Sequence, residues 1–431
     1  MTKRLTFFVS VLIASLIQSC DSNPNVTASK IPVIDLESAI GSGRVFNLSD
    51  VATEIRYIPL ETNDNSMMSD YLSVVYEKGM FYVISFKNFI IFDSCGKHLK
   101  TFNRTGRGPD EYMGFKSYDV DPKTGNILLT AFCQDQAFSL LSYSVDGKLE
   151  DKYSLNSTGR SMSDISFRCL DDKILTTFSV SIEDTTEVYA QVQDLTGNIL
   201  KSVNKPSLKD FNDAYTNLPS PVVQKNGMSF STSYTTRSTM RIPPRAYRYE
   251  DKMRIFLSLS DTIFTIDTAL NYTPFLAINY GKYKNPSELG SNITKGEHVS
   301  ISSNLFFETG SLILTQFNLR SFAHDPFEIP TQNGKGTSKN TKSFALYDKN
   351  SGELTLMNTP MPAKPGFKED FESGPPFFPS YLSSEMYAIS IIYPDKLKSF
   401  AQSNPVSPKL KSIANNLKEF DNPVVVLVKM K

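Results

Sequence analysis

One short segment, residues 103–112 (NRTGRGPDEY), holds the side chains best suited to recognise a ligand. The guanidinium groups of Arg104 and Arg107 present planar sets of N–H donors that suit a carboxylate, a sulfate or sugar hydroxyls. Glu111 and Tyr112 add an acceptor and a phenol, and two glycines and a proline can hold the backbone in one shape. We therefore predict Arg104, Arg107, Glu111 and Tyr112 as candidate binding residues.

The same segment also fits a structural connection between two β-sheets, and this is the interpretation that we prefer. In that case Glu111 pairs with a group inside the loop, and Gly106 and Gly108 supply turn geometry. The G-x-G pattern is not interpreted as a phosphate-binding loop, because no strand-to-helix pattern surrounds it.

Residue types for hydrolytic or metal chemistry are sparse in the chain. His98, His298 and His324 are the only histidines, no H-x-x-x-H spacing exists, and no G-x-S-x-G segment is present. Residues 119–126 (DVDPKTGN) resemble a calcium loop but lack the downstream glutamate, so we interpret them as a turn between two strands. The sequence therefore predicts no catalytic residue, no metal ligand and no cofactor.

Charge and composition exclude several classes of protein. The 431 residues include 45 Lys and Arg against 45 Asp and Glu, so the formal net charge is zero. This balance argues against a surface covered by positive charge, and nucleic acid is not an expected partner. Hydrophobic residues make up 40% and aromatic residues 12% of the chain, which supports a substantial core and excludes global disorder.

The N-terminus has the features of a bacterial export signal. Lys3 and Arg4 precede an apolar run of 13 residues (LTFFVSVLIASLI), which is too short to span a membrane. Cys20, with Ile17 three positions before it, resembles a lipobox, although Gln18 is larger than the usual small residue. We predict a signal peptide over residues 1–19, lipidation of Cys20 and a flexible tether over residues 20–44. An ordinary signal peptide with an unrelated cysteine is the alternative.

Three cysteines follow Cys20, at positions 95, 133 and 169. The number is odd, so at least one thiol is unpaired, and the sequence leaves open whether the other two form a disulfide. We interpret Cys95, Cys133 and Cys169 as buried small hydrophobic residues, because none belongs to a C-x-x-C pair.

The elements that must position these side chains are short strands that recur along the chain. Four segments share a strand, a turn that ends in glycine and a second strand: 89–102, 140–153, 189–203 and 344–357. A fifth, degenerate copy covers residues 263–278, where Leu270-Asn271 replaces the glycine. The marker glycines 96, 147 and 197 are 51 and 50 residues apart, a period that is typical of β-propeller blades.

The ends of the chain predict how the repeats close into a ring. Residues 424–430 form a strand-like run at the C-terminus, and residues 55–60 form another near the start. A propeller commonly completes one blade with strands from both termini, which leaves no free sheet edge. With a further strand at 387–393, we predict an all-β fold, a six-bladed β-propeller over residues 45–431.

A helical insertion is expected in the last blade, at about residues 394–420. Ser407 and Pro408 have the pattern of a helix N-cap followed by proline at the first helical position. Leu410, Ile413, Leu417 and Phe420 then recur at spacings of three or four, which predicts one apolar helix face.

Three motifs together carry a family resemblance. They are I-P-L-E-T at 58–62, D-x-x-G-K at 93–97 and G-R-G-P-x-E-Y at 106–112. In this succession the chain resembles the six-bladed β-propeller lipoproteins of Bacteroidetes, which are relatives of NHL-repeat propellers. Cys95 departs from the family pattern, which usually has Asn at that turn position. The resemblance implies a fold and a cell-envelope location, and it implies no specific reaction.

Two functions follow as expectations. The first is a non-catalytic lipoprotein of the outer membrane, a monomer that faces the periplasm or the cell surface and binds a glycan, a peptide or an envelope protein. The alternative is a propeller hydrolase or lyase, lactonase-like or glycan-cleaving, with calcium in the central channel. Four or more carboxylates and amides around one point of the channel favour the enzyme, whereas an aromatic and arginine-lined face favours binding.

Overall fold

The computed structural model describes residues 31–69, 72–134, 138–157, 159–181, 187–206, 222–225, 228–231, 241–257, 260–284, 299–330 and 336–431. The predicted signal peptide, Cys20, residues 21–30 and His298 lie outside the described residues. Residues 32–431 form one compact unit. Its first elements are β1 (Val33–Asp35), α1 (Leu36–Ala39), a 3-10 turn (Leu48–Asp50) and β2 (Ala52–Pro59).

The first three blades are antiparallel sheets of four strands each, built in chain order. Blade 1 contains β3 (Leu72–Glu77), β4 (Met80–Ser85), β5 (Asn88–Asp93) and β6 (His98–Phe102). Blade 2 contains β7 (Gly114–Val120), β8 (Ile127–Phe132), β9 (Phe138–Tyr143) and β10 (Leu149–Ser154). Blade 3 follows a 3-10 turn (Met162–Asp164) and contains β11 (Ile165–Leu170), β12 (Lys173–Phe178), β14 (Val188–Asp194) and β15 (Ile199–Asn204).

Short two-stranded ribbons accompany the longer connections of blades 3 to 5. Next to blade 3, β13 (Val180–Ser181) pairs with β18 (Arg241–Ile242), and β16 (Val222–Lys225) pairs with β17 (Met228–Ser231). Blade 4 contains β19 (Arg245–Tyr249), β20 (Lys252–Phe256), β21 (Thr262–Asp267) and β22 (Tyr272–Asn279), with β1 as a fifth strand. A 3-10 turn (Gly281–Tyr283) follows blade 4.

Blades 5 and 6 complete the ring. Blade 5 contains β23 (Ser300–Glu308), β24 (Leu312–Asn318), β27 (Lys342–Asp348) and β28 (Leu354–Leu356). Its insertion holds a 3-10 turn (Arg320–Phe322) and the ribbon of β25 (Phe327–Pro330) and β26 (Thr337–Asn340). Blade 6 contains β29 (Tyr381–Leu382), β30 (Tyr387–Ile392), β31 (Val424–Met430) and β2. The predicted six-bladed β-propeller is confirmed.

Ring closure occurs as predicted, between strands from the two ends of the chain. The antiparallel pairing of β2 with β31 runs from Ala52 opposite Met430 to Pro59 opposite Val424. The pairing places β2 at the outer edge of blade 6, so that the C-terminal strand is covered on both sides. The blade therefore presents no open edge at the chain terminus.

The segment before β2 is more ordered than the sequence suggested. β1 pairs in parallel with β22 of blade 4, and Arg44 forms a parallel bridge to Met357 beside blade 5. Ile34 and Leu36 are fully buried. The tether expected over residues 20–44 is therefore wrong for residues 33–44, because their apolar side chains and backbone groups are used at the outer edges of blades 4 and 5.

The repeated hairpins of the sequence are the third and fourth strands of blades 1 to 5. In blade 1 the Asp93 carboxylate accepts two backbone N–H groups of the turn at 2.8 and 2.9 Å, and Gly96 has a φ of 83°. Leu270 takes the corresponding conformation in blade 4 with a φ of 67°, so the degenerate copy keeps the turn without its glycine. The same carboxylate role is filled in three further blades, by Asp194, Asp267 and Asp348.

The hydrophobic core is divided into six clusters, and each lies between two neighbouring blades. Residues on both faces of a strand are therefore buried, which explains apolar runs such as MFYVIS in β4, where five of six residues are buried. Cys133 and Cys169 belong to this core as predicted, whereas Cys95 is exposed in a turn. All three thiols are free.

The predicted helical insertion lies between β30 and β31 and consists of α2 (Pro394–Ser403) and α3 (Pro408–Asn416). Ser407 is the N-cap, and its hydroxyl accepts the Leu410 N–H at 3.1 Å. The predicted apolar face is wrong at its end: α3 stops at Asn416, and Phe420 is 85% exposed. In the described part of the chain, no helix combines the length and the apolar character needed to cross a bilayer.

Candidate ligand-binding channel

A cavity of about 520 Å³ lies where the first strands of all six blades meet. These strands are β3, β7, β11, β19, β23 and β29. Because the six hydrophobic clusters lie between the blades, polar side chains can occupy the centre. The volume falls within the range of roughly 300–1,000 Å³ that is usual for small-molecule sites. This channel is the candidate functional site.

Glu308 ends β23 and is the most heavily paired acid of the channel. Its carboxylate accepts two bonds of 2.8 Å from the Arg254 guanidinium, one from Lys349 at 3.1 Å and one from the Tyr247 hydroxyl at 3.1 Å. Glu308 is 1% exposed, and Arg254 also lies over the Phe275 ring at 3.4 Å from its centroid. The negative charge is therefore more than compensated, and the bonds join blades 4 and 5.

Asp119 joins three blades at the same end of the channel. Its carboxylate accepts the Arg248 guanidinium at 2.9 Å and the Cys169 N–H at 3.0 Å. Burial lowers the pKa of the Arg248 guanidinium, but Asp119 together with Tyr381, Cys169 and Glu77 outweighs burial, and the net pKa is raised. Asp119 and Arg248 therefore form a closed pair.

Glu77, the last residue of β3, is fully buried and is held by blade 6. Its carboxylate accepts the Tyr381 hydroxyl at 2.6 Å, and the Ser384 N–H at 3.0 Å. The Ser384 hydroxyl donates to it at 2.5 Å. Burial raises the pKa of Glu77 in spite of these bonds. Glu77 acts as an acceptor that ties blade 1 to blade 6.

Three cations of the channel have a different environment. Lys116 on β7, Arg168 on β11 and Arg245 on β19 all line the cavity, and none forms an ion pair with a described acid. Among the described residues, Arg168 donates to its neighbouring carbonyl, that of Phe167, at 2.9 Å. Burial, together with the positive charge of Arg168, lowers the pKa of Arg245. These guanidinium groups are thus held near each other without a compensating carboxylate.

Aromatic rings complete the lining. Tyr247 stacks on Phe306 with ring centroids 5.1 Å apart, and the Tyr118 hydroxyl donates to the Ser73 hydroxyl across blades 1 and 2. Tyr381 lies on the opposite side, bound to Glu77. The lining therefore combines arginine and aromatic side chains, which is the pattern that favours binding.

The candidate binding residues of the sequence lie elsewhere, in the loop between β6 and β7, which we call the connecting loop (residues 103–113). The Glu111 carboxylate accepts the Gly108 N–H at 2.8 Å, and Arg104 donates to the Gly147 carbonyl at 2.7 Å in blade 2. Tyr112 is 1% exposed and packs edge-on against aromatic neighbours. Arg107 is exposed. The structure brings Arg104, Glu111 and Tyr112 into internal contacts and places none of the four side chains in the channel lining.

The structure also shows which group inside the loop pairs with Glu111. Within the described residues no ion pair joins Arg107 and Glu111, and Glu111 binds backbone N–H instead. A Cβ at Gly106 would overlap the Glu111 carboxylate, so a side chain at this position would displace that carboxylate. The loop thus uses its acid to fix its own backbone.

Sequence reasoning missed the channel residues, although one signal could have located them. Counting two strands back from each repeated hairpin identifies the first strand of a blade. These first strands carry charges that the fold brings to the centre of the ring, as in RAYRY of β19 and the final glutamates of β3 and β23. A charge on a strand that cannot face solvent would have indicated a polar centre.

The described residues contain no group of three or more His, Cys, Asp and Glu side chains placed to hold a metal ion. The histidines in the described range have other roles. The His98 ring bonds the Thr101 hydroxyl at 2.9 Å and lies edge-on to Phe92. Residues 121–126 form a turn between β7 and β8, as interpreted, with Gly125 at a φ of 80°.

Several solved structures of Bacteroides proteins are similar to this chain. A candidate exported protein from Bacteroides fragilis NCTC 9343 superposes with a TM-score of 0.57 at 18% identity, covering 93% of this chain and 100% of that one. A DUF4221 member from Bacteroides vulgatus gives 0.46 at 15% identity, with 88% and 97% covered. A Bacteroides caccae protein of unknown function gives 0.33 at 11%, with 67% and 83% covered. The first of these supports the fold.

Two further comparisons concern the sequence. No curated protein matches it significantly. Residues 31–429 match the family described as "Domain of unknown function (DUF4934)". The resemblance to propellers of Bacteroidetes is thus supported at the level of fold, while the finer assignment to NHL-like lipoproteins stays a prediction. Because the match covers almost the whole described chain, the protein belongs to the DUF4934 family.

Proposed function

We propose that this protein is an exported, envelope-anchored β-propeller that binds a ligand or partner in its central channel and catalyses no reaction. The observation that carries the proposal is the channel itself, about 520 Å³ in volume and lined by all six blades with arginine and tyrosine side chains. Such a concave site with a few convergent polar groups is the usual form of a binding pocket.

The arrangement of the acids supports binding over hydrolysis. A calcium-dependent hydrolase or lyase needs several oxygen ligands that converge on one point. Glu77, Asp119 and Glu308 instead accept bonds from separate partners, Tyr381 and Ser384, Arg248, and Arg254 with Lys349. Each carboxylate is therefore committed to holding two blades together.

Export and anchoring are part of the same proposal. They are supported by the signal-like N-terminus, by Cys20 and by the name of the Bacteroides fragilis relative in fold. Replacing Cys20 by Ser should move the protein from the membrane fraction to the soluble periplasm and remove the acyl mass from its N-terminal peptide. Unchanged fractionation of the C20S variant would contradict lipidation.

A ligand screen tests the binding function. Because residues 32–431 form one compact unit, the chain from residue 21 onward is suitable for thermal-shift measurements with glycans, peptides and calcium salts. We expect a compound that raises the Tm, is recovered chemically unchanged and loses its effect in the Tyr118→Ala variant. Mass-spectrometric detection of cleaved products would instead establish the hydrolase or lyase. If channel substitutions do not change the rise in Tm that a ligand causes, the ligand binds outside the channel.

A further inference from the structure

The charges of the channel are distributed unevenly between its two ends. The first strands of all blades run in the same direction through a propeller, so position along a strand indicates depth. Glu77 and Glu308 are the last residues of β3 and β23, and Asp119 and Arg248 are the second-to-last residues of β7 and β19. The paired acids therefore lie at one end, which we call the strand-end mouth.

Two of the three cations without a paired acid lie towards the other end. Arg245 is the first residue of β19, and Lys116 is the third residue of β7. Arg168 is the fourth of six residues in β11, the strand between them in the ring, and its backbone directly precedes Cys169, which bonds Asp119. Its guanidinium lies close enough to Arg245 to contribute to the lowered pKa of that group. Arg245 and Arg248 are three residues apart, which corresponds to about 10 Å along a strand. We call the end with Arg245 the strand-start mouth.

The charged residues of the cavity lining are balanced in number. Four cations line the cavity, Lys116, Arg168, Arg245 and Arg248, against four acids, Glu77, Asp119, Glu250 and Glu308. Arg254 and Lys349 reach in from outside the lining and bond Glu308. Because Arg248, Arg254 and Lys349 already occupy Asp119 and Glu308, these two acids do not compensate Lys116, Arg168 and Arg245.

The fold holds these like charges together at a cost. Arg168 and Arg245 lie on neighbouring inner strands, and burial, together with the positive charge of Arg168, lowers the pKa of Arg245. An anion between them would relieve this repulsion and accept bonds from planar N–H donors. Arg168 is already oriented by its bond to the Phe167 carbonyl, which lowers the entropy that this side chain would lose on binding.

We propose that Lys116, Arg168 and Arg245 form an anion-binding site at the strand-start mouth, which holds a carboxylate, sulfate or phosphate group of a small ligand. The inference rests on the proposal that the channel is the ligand site, and it adds the chemical class of the ligand. The enclosed volume of about 520 Å³ suits one or two sugar-sized units rather than an extended polyanion.

Calorimetric titration of the chain from residue 21 tests the site with four probes: sulfate, inorganic phosphate, glucuronate and, as the neutral counterpart, glucose. Ionic strength is held constant with sodium chloride, because screening alone changes surface electrostatics. We expect at least one anion to bind and glucose to show no binding. Comparison of the planar carboxylate with the tetrahedral anions identifies which group the site prefers.

Two variants localise the binding. The double variant R168Q/R245Q should weaken anion binding at least tenfold, the effect of losing charge-assisted hydrogen bonds. Its Tm without ligand should equal or exceed that of the wild type, because the repulsion is removed, and this rules out misfolding as the cause. K411Q removes an exposed helix charge outside the channel and should bind the anion as the wild type does.

The outcomes separate this inference from the proposed function. If the wild type binds no anion, or if R168Q/R245Q binds anions as tightly as the wild type, the anion site is refuted. If a neutral ligand binds the wild type and binds the Tyr118→Ala variant more weakly, the channel remains the ligand site even though the anion site is refuted. If no ligand responds to any channel substitution, the proposed function fails as well.

Discussion

The connecting loop and the central channel both combine arginine, glutamate and tyrosine, but the chain builds them in opposite ways. The loop places Arg104, Arg107, Glu111 and Tyr112 within nine consecutive residues, and its acid binds its own backbone. The channel gathers Lys116, Arg168 and Arg245 from strands more than 50 positions apart and leaves them without acids. Polar residues that are close together in sequence can thus bind one another, whereas the polar residues that remain available to a ligand can be far apart in sequence.

The channel also differs from the loop in how much of the molecule it requires. All six blades contribute to it, and Glu77 with Tyr381 and Glu308 with Arg254 hold adjacent blades in place. The loop relies on its own turn and on contacts with one blade, blade 2, through Arg104, Asp110 and Tyr112. Perturbations of the ring should therefore affect the channel far more than perturbations of the loop.

Deletion of residues 424–431 should have the largest effect. It removes β31, which pairs with both β2 and β30, and it exposes the apolar core between blades 5 and 6. We expect the truncated protein to lose cooperative thermal unfolding and all channel binding. A truncated chain with the wild-type melting curve would show that β31 does not close the ring.

Glu308→Ala should be the most damaging single substitution in the channel. Arg254 and Lys349 would keep their charges without an acceptor, and breaking a buried pair in this way costs about 3–5 kcal/mol. Urea denaturation measures the loss of unfolding free energy. Glu250→Ala, an exposed acid of the same cavity, is the control and should change stability by about 0.5 kcal/mol or less.

Gly106→Ala tests the internal structure of the connecting loop. The new methyl group would overlap the Glu111 carboxylate, which would have to leave the Gly108 N–H. We expect a loss of about 1–3 kcal/mol in unfolding free energy. Gly114→Ala, with nothing within 4 Å of the added methyl group, should be close to neutral. Equal stabilities of the two variants would show that Glu111 does not shape the loop.

The parts of the fold that the sequence predicts are those encoded locally. The turn carboxylate of Asp93 and the positive φ of Gly96 lie within one hairpin, and Ser407 caps a helix three residues away. These features recur with a period, so the propeller and its insertion could be predicted. The end of α3 could not, because the apolar spacing continues to Phe420 while the helix stops at Asn416.

The structural features that could not be predicted from the sequence depend on contacts between distant segments. β1 has three residues and no turn signal of its own, and only its parallel pairing with β22 makes it a strand. The channel residues share the same difficulty, since Asp119 and Arg248 meet across 129 positions. Their convergence depends on the order of blades around the ring, which no local pattern specifies.

Arg107→Ala should have the smallest effect on stability, and it is the sharpest test of the comparison. If Arg107 were paired with Glu111 in a buried site, its loss would cost about 3–5 kcal/mol. Arg107 is instead exposed, and Glu111 accepts a backbone N–H, so we expect a change of about 0.5 kcal/mol or less. Anion affinity should also stay at the wild-type value, because Arg107 is not part of the channel lining. Equilibrium denaturation and calorimetry on one preparation measure both quantities. If R107A is stable but no longer binds the anion, the ligand site lies in the connecting loop. If R107A binds the anion like the wild type while R168Q/R245Q binds it more weakly, the ligand site lies in the channel.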